Sequence, residues 1–412
     1  MKRRYLDEAA PYIVLLIAVF FIYSLVYANT YFQITQHNVF NSYSLQAYRW
    51  LQGYLDLGYN FNHLEIALYN NRYWISFPPL PSVIMLPLVA ILGSPNTPDH
   101  IIALCVFIIV VVYAYKIAYH QLKNKIAAIF FALFLTIGSN YLQISMRGIV
   151  WHIAQNLAFM FTLMSIYYSI TDNKKHSFLA LFFLSCAMGC RPMNGIYIPL
   201  IMCLIYKREG CDFLTFVERL LLYSIPAVVL GAIYLILNYL RFGSIFEFGH
   251  NFLPASMAAE HGQLSVMYLR NHLRFMLLRI PTQLPVFSSY NAIFQPMAIW
   301  IISPIFNGFV AYLILAIRYK WEKDNMYRVI YLLLVPVLVF IHMLILASHK
   351  DVGGPQFGYR YTVDVLPVVF FGLLVILSEK KDKKSLIMRM LPLFMIGFVL
   401  NILGLLQSIG VR

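Results

Sequence analysis

The sequence contains 412 residues, of which 61% are hydrophobic and only 12% are charged. Soluble domains carry roughly 25% charged residues, and a water-soluble chain of this length could not bury so much apolar surface. We therefore predict an all-α, polytopic membrane protein whose apolar helices face lipid. The five cysteines lie mostly inside apolar stretches and match no zinc-binding spacing, which predicts thiols packed among helices.

The formal charge of +14 comes largely from Lys/Arg runs that lie between apolar segments. Such runs follow the positive-inside pattern and predict cytoplasmic contacts with anionic membrane lipids. Nucleic acid is not a predicted partner, because no groove pattern of arginine and aromatic residues accompanies the runs. The runs lie at 2–4, 123–125, 174–175, 207–208, 318–323 and 380–384.

Apolar segments long enough to cross a membrane recur along the whole chain, since a crossing helix needs about 20 apolar residues. They predict about eleven crossings in one transmembrane domain over residues 1–412, the first being an uncleaved helix rather than a signal peptide. The segment 178–206 is open to division at Arg191-Pro192, and 79–94 is short enough to be re-entrant. The candidates are 11–28, 79–94, 99–118, 126–144, 151–170, 178–206, 217–240, 296–317, 327–347, 361–378 and 386–408.

Three long loops fall on the extracytoplasmic side when the Lys/Arg runs are placed inside. These loops, 29–78, 241–295 and 348–360, form the predicted active face. Loops beyond about 12–15 residues are usually functional or disordered, and the aromatic content of these argues against disorder. Within them, 42–57 and 264–280 place apolar residues at helical spacing, which predicts amphipathic helices along the membrane interface.

The first polar cluster reads LEIALYNNRYWISFPPLP. A charge near the bilayer is expensive, about 2.5–3.5 kcal/mol at a helix centre, so the carboxylate of Glu65 is a candidate catalytic group. Asp56 is the alternative candidate in the same loop. Arg72, Tyr73 and Trp74 follow and are candidate substrate contacts, while the prolines indicate only that a loop meets a helix.

The second cluster reads SHKDVGGPQFGYRYTVD. Its glycines allow a tight backbone, and the cations Lys350 and Arg360 suit a phosphate. Gln356, Tyr361 and Asp364 are candidate substrate contacts. Arg360 and Asp364 lie four residues apart, so a plain helix-surface ion pair is the alternative interpretation.

Further cations and histidines enter the same predicted face. Arg147, Arg191 and Arg241 are candidate ligands for the donor phosphate, although a single arginine at a helix end often reaches lipid headgroups instead. His152 and His250 are candidate substrate contacts. No metal site is assigned, because the His and Glu residues between 247 and 261 match no standard ligand motif, and a divalent metal remains open.

Several stretches resemble, in order, the GT-C glycosyltransferases, the membrane enzymes that take a sugar from a polyprenyl-phosphate carrier. The likeness is to bacterial members related to the dolichyl-phosphate-mannose–protein mannosyltransferases. The stretches extend over most of the chain, each moderately specific by itself. They are LQAYRWLQGYLDL, LEIALYNNRYWISFPPLPSVIMLPLVAILG, CRPMNGIYIPL, NYLRFGSIFEFGHNF and GGPQFGYRYTVDVLP.

The resemblance implies a carboxylate in the first outer loop that acts as base on the acceptor hydroxyl. Glu65 falls where such proteins often show Asp, and the longer side chain leaves Asp56 open as the base. The implied partners are a polyprenyl-phosphate-sugar donor and a lipid- or glycan-linked acceptor. An inverting displacement is also implied, whereas metal use varies within the family.

Two other classes remain open at this point. A transporter or flippase for polyprenyl lipid or sugar would suit a helix broken at Arg191-Pro192, but no inverted repeat is visible. A ligase or polymerase of polyprenyl-linked glycans would share arginine clusters in its outer loops. The sequence favours the glycosyltransferase, placed in a bacterial inner membrane with its active face extracytoplasmic.

Overall fold

The computed structural model describes residues 2–30, 33–173, 176–280, 297–318, 326–351, 353 and 357–410. Within these residues the chain is almost entirely helical, as predicted, with one two-stranded sheet. The helices are α1 (Lys2–Asn29), α2 (Ser42–Leu51), α3 (Leu80–Leu92), α4 (Asp99–Leu122), α5 (Lys125–Thr136), α6 (Tyr141–Ser145), α7 (Val150–Ile170), α8 (His176–Cys190), α9 (Ile198–Glu209), α10 (Phe213–Phe242), α11 (Pro254–Met257), α12 (Leu269–Leu278), α13 (Ile299–Ile302), α14 (Ile305–Arg318), α15 (Met326–Ala347), α16 (Leu366–Ser378) and α17 (Lys383–Ile409). Short 3₁₀ segments lie at Pro192–Tyr197, His250–Phe252, Val266–Tyr268 and Arg360–Val365.

Six helices of the described chain are long and apolar enough to cross a membrane, and five shorter apolar helices accompany them. The number of crossings stays a prediction, because a helix of 10–17 residues is shorter than the about 20 residues that a perpendicular crossing needs. The six are Asp7–Asn29, Asp99–Leu122, Val150–Ile170, Phe213–Phe242, Arg360–Ser378 and Lys383–Ile409.

Burial separates central helices from lipid-facing ones. In the most apolar 18-residue stretch of each span, 83% of the residues are buried in Arg360–Ser378 and 78% in Val150–Ile170, whereas only 6% are buried in Phe213–Phe242. The first two therefore form the centre of the bundle, with α7 packed against α4 and α8, and α16 against α14 and α15. The outward side chains of α10 are leucine, isoleucine, valine and tyrosine, which are the residues a lipid-facing surface requires.

The helices place the basic runs and the long loops at opposite ends of the bundle. At the basic end, side chains cap the helices that begin there, because the first N–H groups of a helix lack intrahelical partners. Asn124 Oδ1 accepts from Ala127 N at 2.9 Å, and Asp382 Oδ1 accepts from Ser385 N at 3.0 Å. Asp212 Oδ1 caps α10 at 3.1 Å. We call the other end, where the loops gather, the loop end.

Two segments that the sequence left open are resolved by the helices. The segment 178–206 forms two helices, α8 and α9, which meet at the loop end on either side of Arg191. Helix α3 does not carry the chain to the basic end: Ser82 Oγ at its start bonds Gln46 Oε1 at 2.7 Å, and the Pro95 carbonyl just past its end accepts from Asn41 at 2.9 Å. Both ends of α3 thus contact the segment 41–46, as the re-entrant alternative predicts, and α3 is about 20 Å long at 1.5 Å per residue; re-entry itself stays a prediction.

Both segments predicted as interfacial helices form helices, which are shorter than expected, and their position at the interface stays a prediction. The first ends at Leu51 rather than at 57, because the chain turns at Gly53 with φ 83°. The second spans Leu269–Leu278 within the predicted 264–280. The sequence did not predict the hairpin between β1 (Ile66–Tyr69) and β2 (Arg72–Ile75), which pairs Ile66 with Ile75 and Tyr69 with Arg72.

Candidate active site

A cavity of about 1580 Å³ opens at the loop end. Its walls come from the starts of α4 and α7, the ends of α8, α15 and α17, and the loops around 36–40, 60–66, 246–255, 349–351 and 357–361. These segments lie far apart in sequence, and the bundle brings them together because alternate helices return the chain to the same end. Eight predicted site residues line the cavity: Glu65, Arg147, His152, Arg191, His250, Lys350, Arg360 and Tyr361.

Glu65 lies immediately before β1 with an exposed side chain. Its Oε2 accepts a hydrogen bond from the indole Nε1 of Trp151 at 3.1 Å. Trp151 is in turn held by its ring contact with Phe40, 5.1 Å between centroids. Among the described residues no hydrogen bond is made to Oε1 of Glu65, so this oxygen is available to accept a proton.

Arg191 is held in place by a buried carboxylate. Its Nη2 and Nε both donate to Asp364 Oδ2, at 2.6 and 3.1 Å, and the Asp364 side chain is 3% exposed. Gln155 Nε2 donates to the other oxygen, Oδ1, at 2.6 Å. Asp364 lies behind the cavity wall and pairs with Arg191 rather than with Arg360, because Arg360–Val365 is a 3₁₀ segment and not an α-helix.

Arg360 is the second fixed guanidinium. Its Nε donates to the Gly353 carbonyl at 3.1 Å, and its Nη1 donates to the Trp151 carbonyl at 3.4 Å. The ring of Tyr361 lies 4.8 Å from the Arg360 guanidinium and 5.4 Å from that of Arg191. One aromatic ring thus contacts both cations, and both guanidinium groups are oriented before any ligand arrives.

The remaining cations enter from two loops. Lys350 is held because residues 348–350 pair with residues 263–265: Lys350 N donates to the Gln263 carbonyl at 2.9 Å. Its Nζ lies 3.1 Å from Asp351 Oδ2. Arg147 lies in the turn before α7, where Gly148 N donates to His100 Nδ1 at 2.9 Å.

Two cavity histidines are kept neutral at physiological pH. Burial lowers the pKa of His250 to about 4, assisted by the nearby His349, Arg191 and Lys350. Burial also lowers the pKa of His349. The ring of His250 meets Phe77 edge-on, 5.5 Å between centroids.

Asp56 does not line the cavity and instead closes its own loop. Its Oδ1 accepts from Gly58 N at 2.9 Å, and its carboxylate pairs with Arg49 at 3.7 Å and with Arg72 at 3.3 Å. Arg72 is thereby used in a surface ion pair, with its side chain 65% exposed. The Tyr73 carbonyl accepts from Leu57 N at 2.8 Å, which joins this loop to the hairpin.

Trp74 and Arg241 also lie outside the cavity wall. Trp74 is buried against Phe242 and donates from Nε1 to the Tyr69 carbonyl at 3.1 Å. Arg241 is buried and donates to the Ile75 carbonyl at 3.2 Å, so it fastens α10 to β2. Gln356 lies outside the described residues. The described residues contain no group of three or more His, Cys, Asp and Glu side chains arranged for a metal ion.

Sequence reasoning missed Trp151, which donates to Glu65. It also missed Gln155, which donates to Asp364, the carboxylate that holds Arg191. A tryptophan at a helix start in a membrane protein is expected in the aromatic belt, so its bond to a carboxylate was not predicted. Gln155 gave a usable signal, because an amide one turn into a buried helix needs partners.

Neither the protein-family models nor the curated protein sequences contain a match to this chain. Solved structures do share its fold. ArnT from Cupriavidus metallidurans in the apo state aligns with a TM-score of 0.52 at 13% identity, over 90% of this chain and 60% of that one. ArnT bound to undecaprenyl phosphate gives 0.54 at 11% identity, over 97% and 77%.

The Archaeoglobus fulgidus oligosaccharyltransferase in the apo form gives a TM-score of 0.53 at 13% identity, over 99% of this chain and 57% of that one. This chain therefore spans about three fifths of the length of two of the three chains. Both ArnT and the oligosaccharyltransferase are GT-C glycosyltransferases. The predicted GT-C fold of a multi-pass membrane protein is thus confirmed.

Proposed function

We propose that this protein is a membrane glycosyltransferase that moves a sugar from a polyprenyl-phosphate carrier to an acceptor hydroxyl. The observation that carries the proposal is one cavity in a GT-C fold that holds the Glu65 carboxylate together with the side chains of Arg147, Arg191, Lys350 and Arg360. The complex of ArnT with undecaprenyl phosphate supports the carrier class. The proposed setting is a bacterial inner membrane, with the loop end extracytoplasmic.

In this proposal Glu65 takes the proton of the acceptor hydroxyl while the acceptor oxygen attacks the anomeric carbon of the donor sugar. The bond between that carbon and the phosphate oxygen breaks, and polyprenyl phosphate leaves with the bonding electrons. The anomeric centre inverts, because attack and departure occur in one step. The hydrogen bond from Trp151 to Oε2 leaves Oε1 of Glu65 to receive the proton.

The charge on the leaving phosphate is stabilised by cations that do not need to reorient. Arg191 is fixed by Asp364 and Arg360 by the Gly353 carbonyl, and a preorganised guanidinium presents a fork that matches phosphate oxygens. His152 and Tyr361 complete the wall on this side, and His250 lines the cavity from the loop 246–251; in the proposal all three contact substrate. The polyprenyl chain would extend from here between the helices into lipid.

The test supplies membranes containing the protein with radiolabelled polyprenyl-phosphate sugars and follows the label into acceptor. We expect Glu65→Gln to reduce transfer by about 10²–10⁴-fold, the usual contribution of a general base. Asp56→Asn is the matched control, because it changes a carboxylate of the same loop outside the cavity, and it should keep transfer. Full transfer by Glu65→Gln would remove Glu65 from the role of base. Flipping or uptake without transfer by the wild type would favour a transporter.

A further inference from the structure

The charges that line the cavity are unevenly distributed along the chain. The Lys and Arg side chains of the described wall belong to positions 147, 191, 350 and 360. The loops 60–66 and 246–251, which also form the wall, contain no Lys or Arg at all. We call these two loops the acceptor side. Glu65, the proposed base, belongs to it, so the acceptor hydroxyl must reach this side.

The two loops of the acceptor side are neighbours through the hairpin. Glu65 directly precedes β1, and the ring of Tyr69 at the end of β1 contacts that of Phe252 at a tilt of 38°, 4.5 Å between ring centroids. His250 contacts Phe77 just after β2. The segment 246–252 therefore lies along the hairpin that begins at the proposed base.

Carboxamides with unused hydrogen-bonding atoms line this side. Asn60 Nδ2 donates to Asn62 Oδ1 at 2.8 Å, and both side chains are exposed. Among the described residues, Asn60 Oδ1 and Asn62 Nδ2 make no hydrogen bond. A carboxamide presents a hydrogen-bond donor and an acceptor side by side, and a sugar hydroxyl can accept from the first and donate to the second.

Carboxylates on this side disfavour an anionic acceptor. Besides Glu65, the wall contains Glu247, whose two oxygens accept from Gly249 N and Asn251 Nδ2 at 2.6 Å each. The nearest cations are those assigned to the donor phosphate, since Arg191 and Lys350 lie near His250 and Arg360 lies near Glu65. With the donor bound, a phosphate or carboxylate on the acceptor would approach the two carboxylates without a further Lys or Arg from either loop. Like charges within the Debye length of about 10 Å at 0.1 M salt repel.

Aromatic faces are the remaining feature of the wall here. Phe246 is 77% exposed although it is a phenylalanine, and it lines the cavity. The Trp151 ring lines it as well, beside Glu65. Exposed aromatic rings beside carboxamides provide an apolar face and polar atoms together, which matches the two kinds of surface on a pyranose ring.

We propose that the acceptor side binds a neutral, hydroxyl-rich glycan, so that the acceptor is a sugar hydroxyl rather than a phosphate-bearing group. The inference rests on the proposed function for its catalytic meaning. The carboxamides of Asn60 and Asn62 bind the sugar hydroxyls, Phe246 packs on the sugar face, and Glu65 receives the proton of the reacting hydroxyl.

The test measures binding directly, without donor. The full chain in lipid nanodiscs is examined by saturation-transfer difference NMR with neutral trisaccharides of glucose, mannose and galactose, and with the galacturonic acid trisaccharide as their anionic counterpart. We expect a neutral trisaccharide to bind, and the Asn60→Ala/Asn62→Ala variant to bind it about tenfold more weakly, because two hydrogen-bonding side chains are lost. His63→Ala is the matched control, since His63 is exposed in the same loop outside the cavity wall.

A second variant tests the charge argument. Asn62→Arg should weaken binding of the neutral trisaccharide and strengthen binding of the galacturonic acid trisaccharide. The proposal is overturned if no neutral trisaccharide binds, if the double variant binds as the wild type does, or if the galacturonic acid trisaccharide or a Ser/Thr-rich peptide binds at least as tightly with the same dependence on Asn60 and Asn62. Absence of any Glu65-dependent transfer, with glycan binding intact, would instead overturn the proposed function alone.

Discussion

Trp151 contacts both the proposed base, Glu65, and Arg360, one of the cations proposed to bind the donor phosphate. Its indole donates to Glu65, and its backbone carbonyl accepts from Arg360 at 3.4 Å. The residue thus touches both charged groups of the cavity through different atoms. Substitution of the side chain affects only the first contact, which makes the two roles separable.

We predict that Trp151→Phe lowers the transfer rate by roughly tenfold or more, because a hydrogen bond to a charged group contributes about 1.5–3 kcal/mol. The phenyl ring retains packing against Phe40, so the protein should fold normally. The measurement is the initial rate at saturating donor. Trp74→Phe is the control, because it removes an indole hydrogen bond outside the cavity. Equal losses in the two variants would contradict a specific role for Trp151.

Protonation of His250 couples the stability of the fold to pH. The folded-state pKa of about 4 lies below the ordinary value of 6.5. Between these two values His250 is therefore protonated in the unfolded chain and neutral in the folded chain. This contribution to stability is present above pH 6.5 and is lost as the pH falls towards 4. We predict that the melting temperature of the detergent-solubilised protein falls across that range, and less steeply in His250→Gln. His63→Gln, at an exposed position, should keep the wild-type profile; a profile equally flattened by both would contradict the assignment.

The sequence predicted which residues line the cavity better than it predicted which side chains pair with one another. It selected Glu65 because charge near a membrane is costly, and Lys350 and Arg360 because cations in a glycine-rich loop suit a phosphate. It did not predict that Asp364 pairs with Arg191, since that contact joins residues 173 positions apart. Spacing along a chain indicates only local pairs, and here the local pair of Arg360 with Asp364 does not form.

The hairpin is the element that positions Glu65, and it was missed for a physical reason. Its strands have four residues each, too few for a clear alternation of apolar and polar side chains. The turn did give a signal: Asn70 and Asn71 both have positive φ, 49° and 55°, as a two-residue hairpin turn requires, and asparagine tolerates that conformation. The strands IALY and RYWI on either side, which are rich in aliphatic and aromatic residues, complete the pattern.

The turn that contains Arg147 depends on a close approach between backbones. A Cβ at Gly148 would lie 2.3 Å from the carbonyl carbon of Asp99, where no atom can fit. Asn38 Nδ2 also donates to the Gly148 carbonyl at 3.2 Å, so the first outer loop is fastened at the same point. A displacement here would move Arg147 and that loop together.

We predict that Gly148→Ala destabilises the protein by about 1–3 kcal/mol, as overpacking usually does, and weakens binding of undecaprenyl phosphate. The measurements are thermal unfolding in detergent and ligand binding in nanodiscs. The control is Gly231→Ala in α10, where a Cβ meets nothing within 4 Å and alanine is the better helix former. A loss from Gly231→Ala as large as that from Gly148→Ala would show that the close contact is not the cause.

The Lys/Arg runs and the cavity lie at opposite ends of the helix bundle. Lys/Arg runs follow α4, end α9 and precede α17, whereas the cavity lies where those helices have their other ends. The sequence predicted this division, because apolar length and basic runs are local properties of the chain. It could not predict the cavity itself, which depends on how helices distant in sequence pack.

The proposed orientation in the membrane has a direct test. We predict that Asn62→Cys, at the loop end, reacts with a membrane-impermeant maleimide on intact cells, because the positive-inside rule places the basic runs in the cytoplasm. Lys384→Cys, exposed at the basic end, should react only after permeabilisation. The parent protein gives the background from its five cysteines. The reverse pattern of labelling would place the cavity in the cytoplasm.

The cavity wall begins at Gln36 and ends at Ile409, and this has a consequence for how the protein is made. Translation proceeds from the N-terminus at roughly 5–20 residues per second, so Glu65 is synthesised well before Arg360. During that interval the first outer loop is present without the later part of the wall. A nascent chain therefore cannot complete the cavity until α17 has been synthesised and inserted.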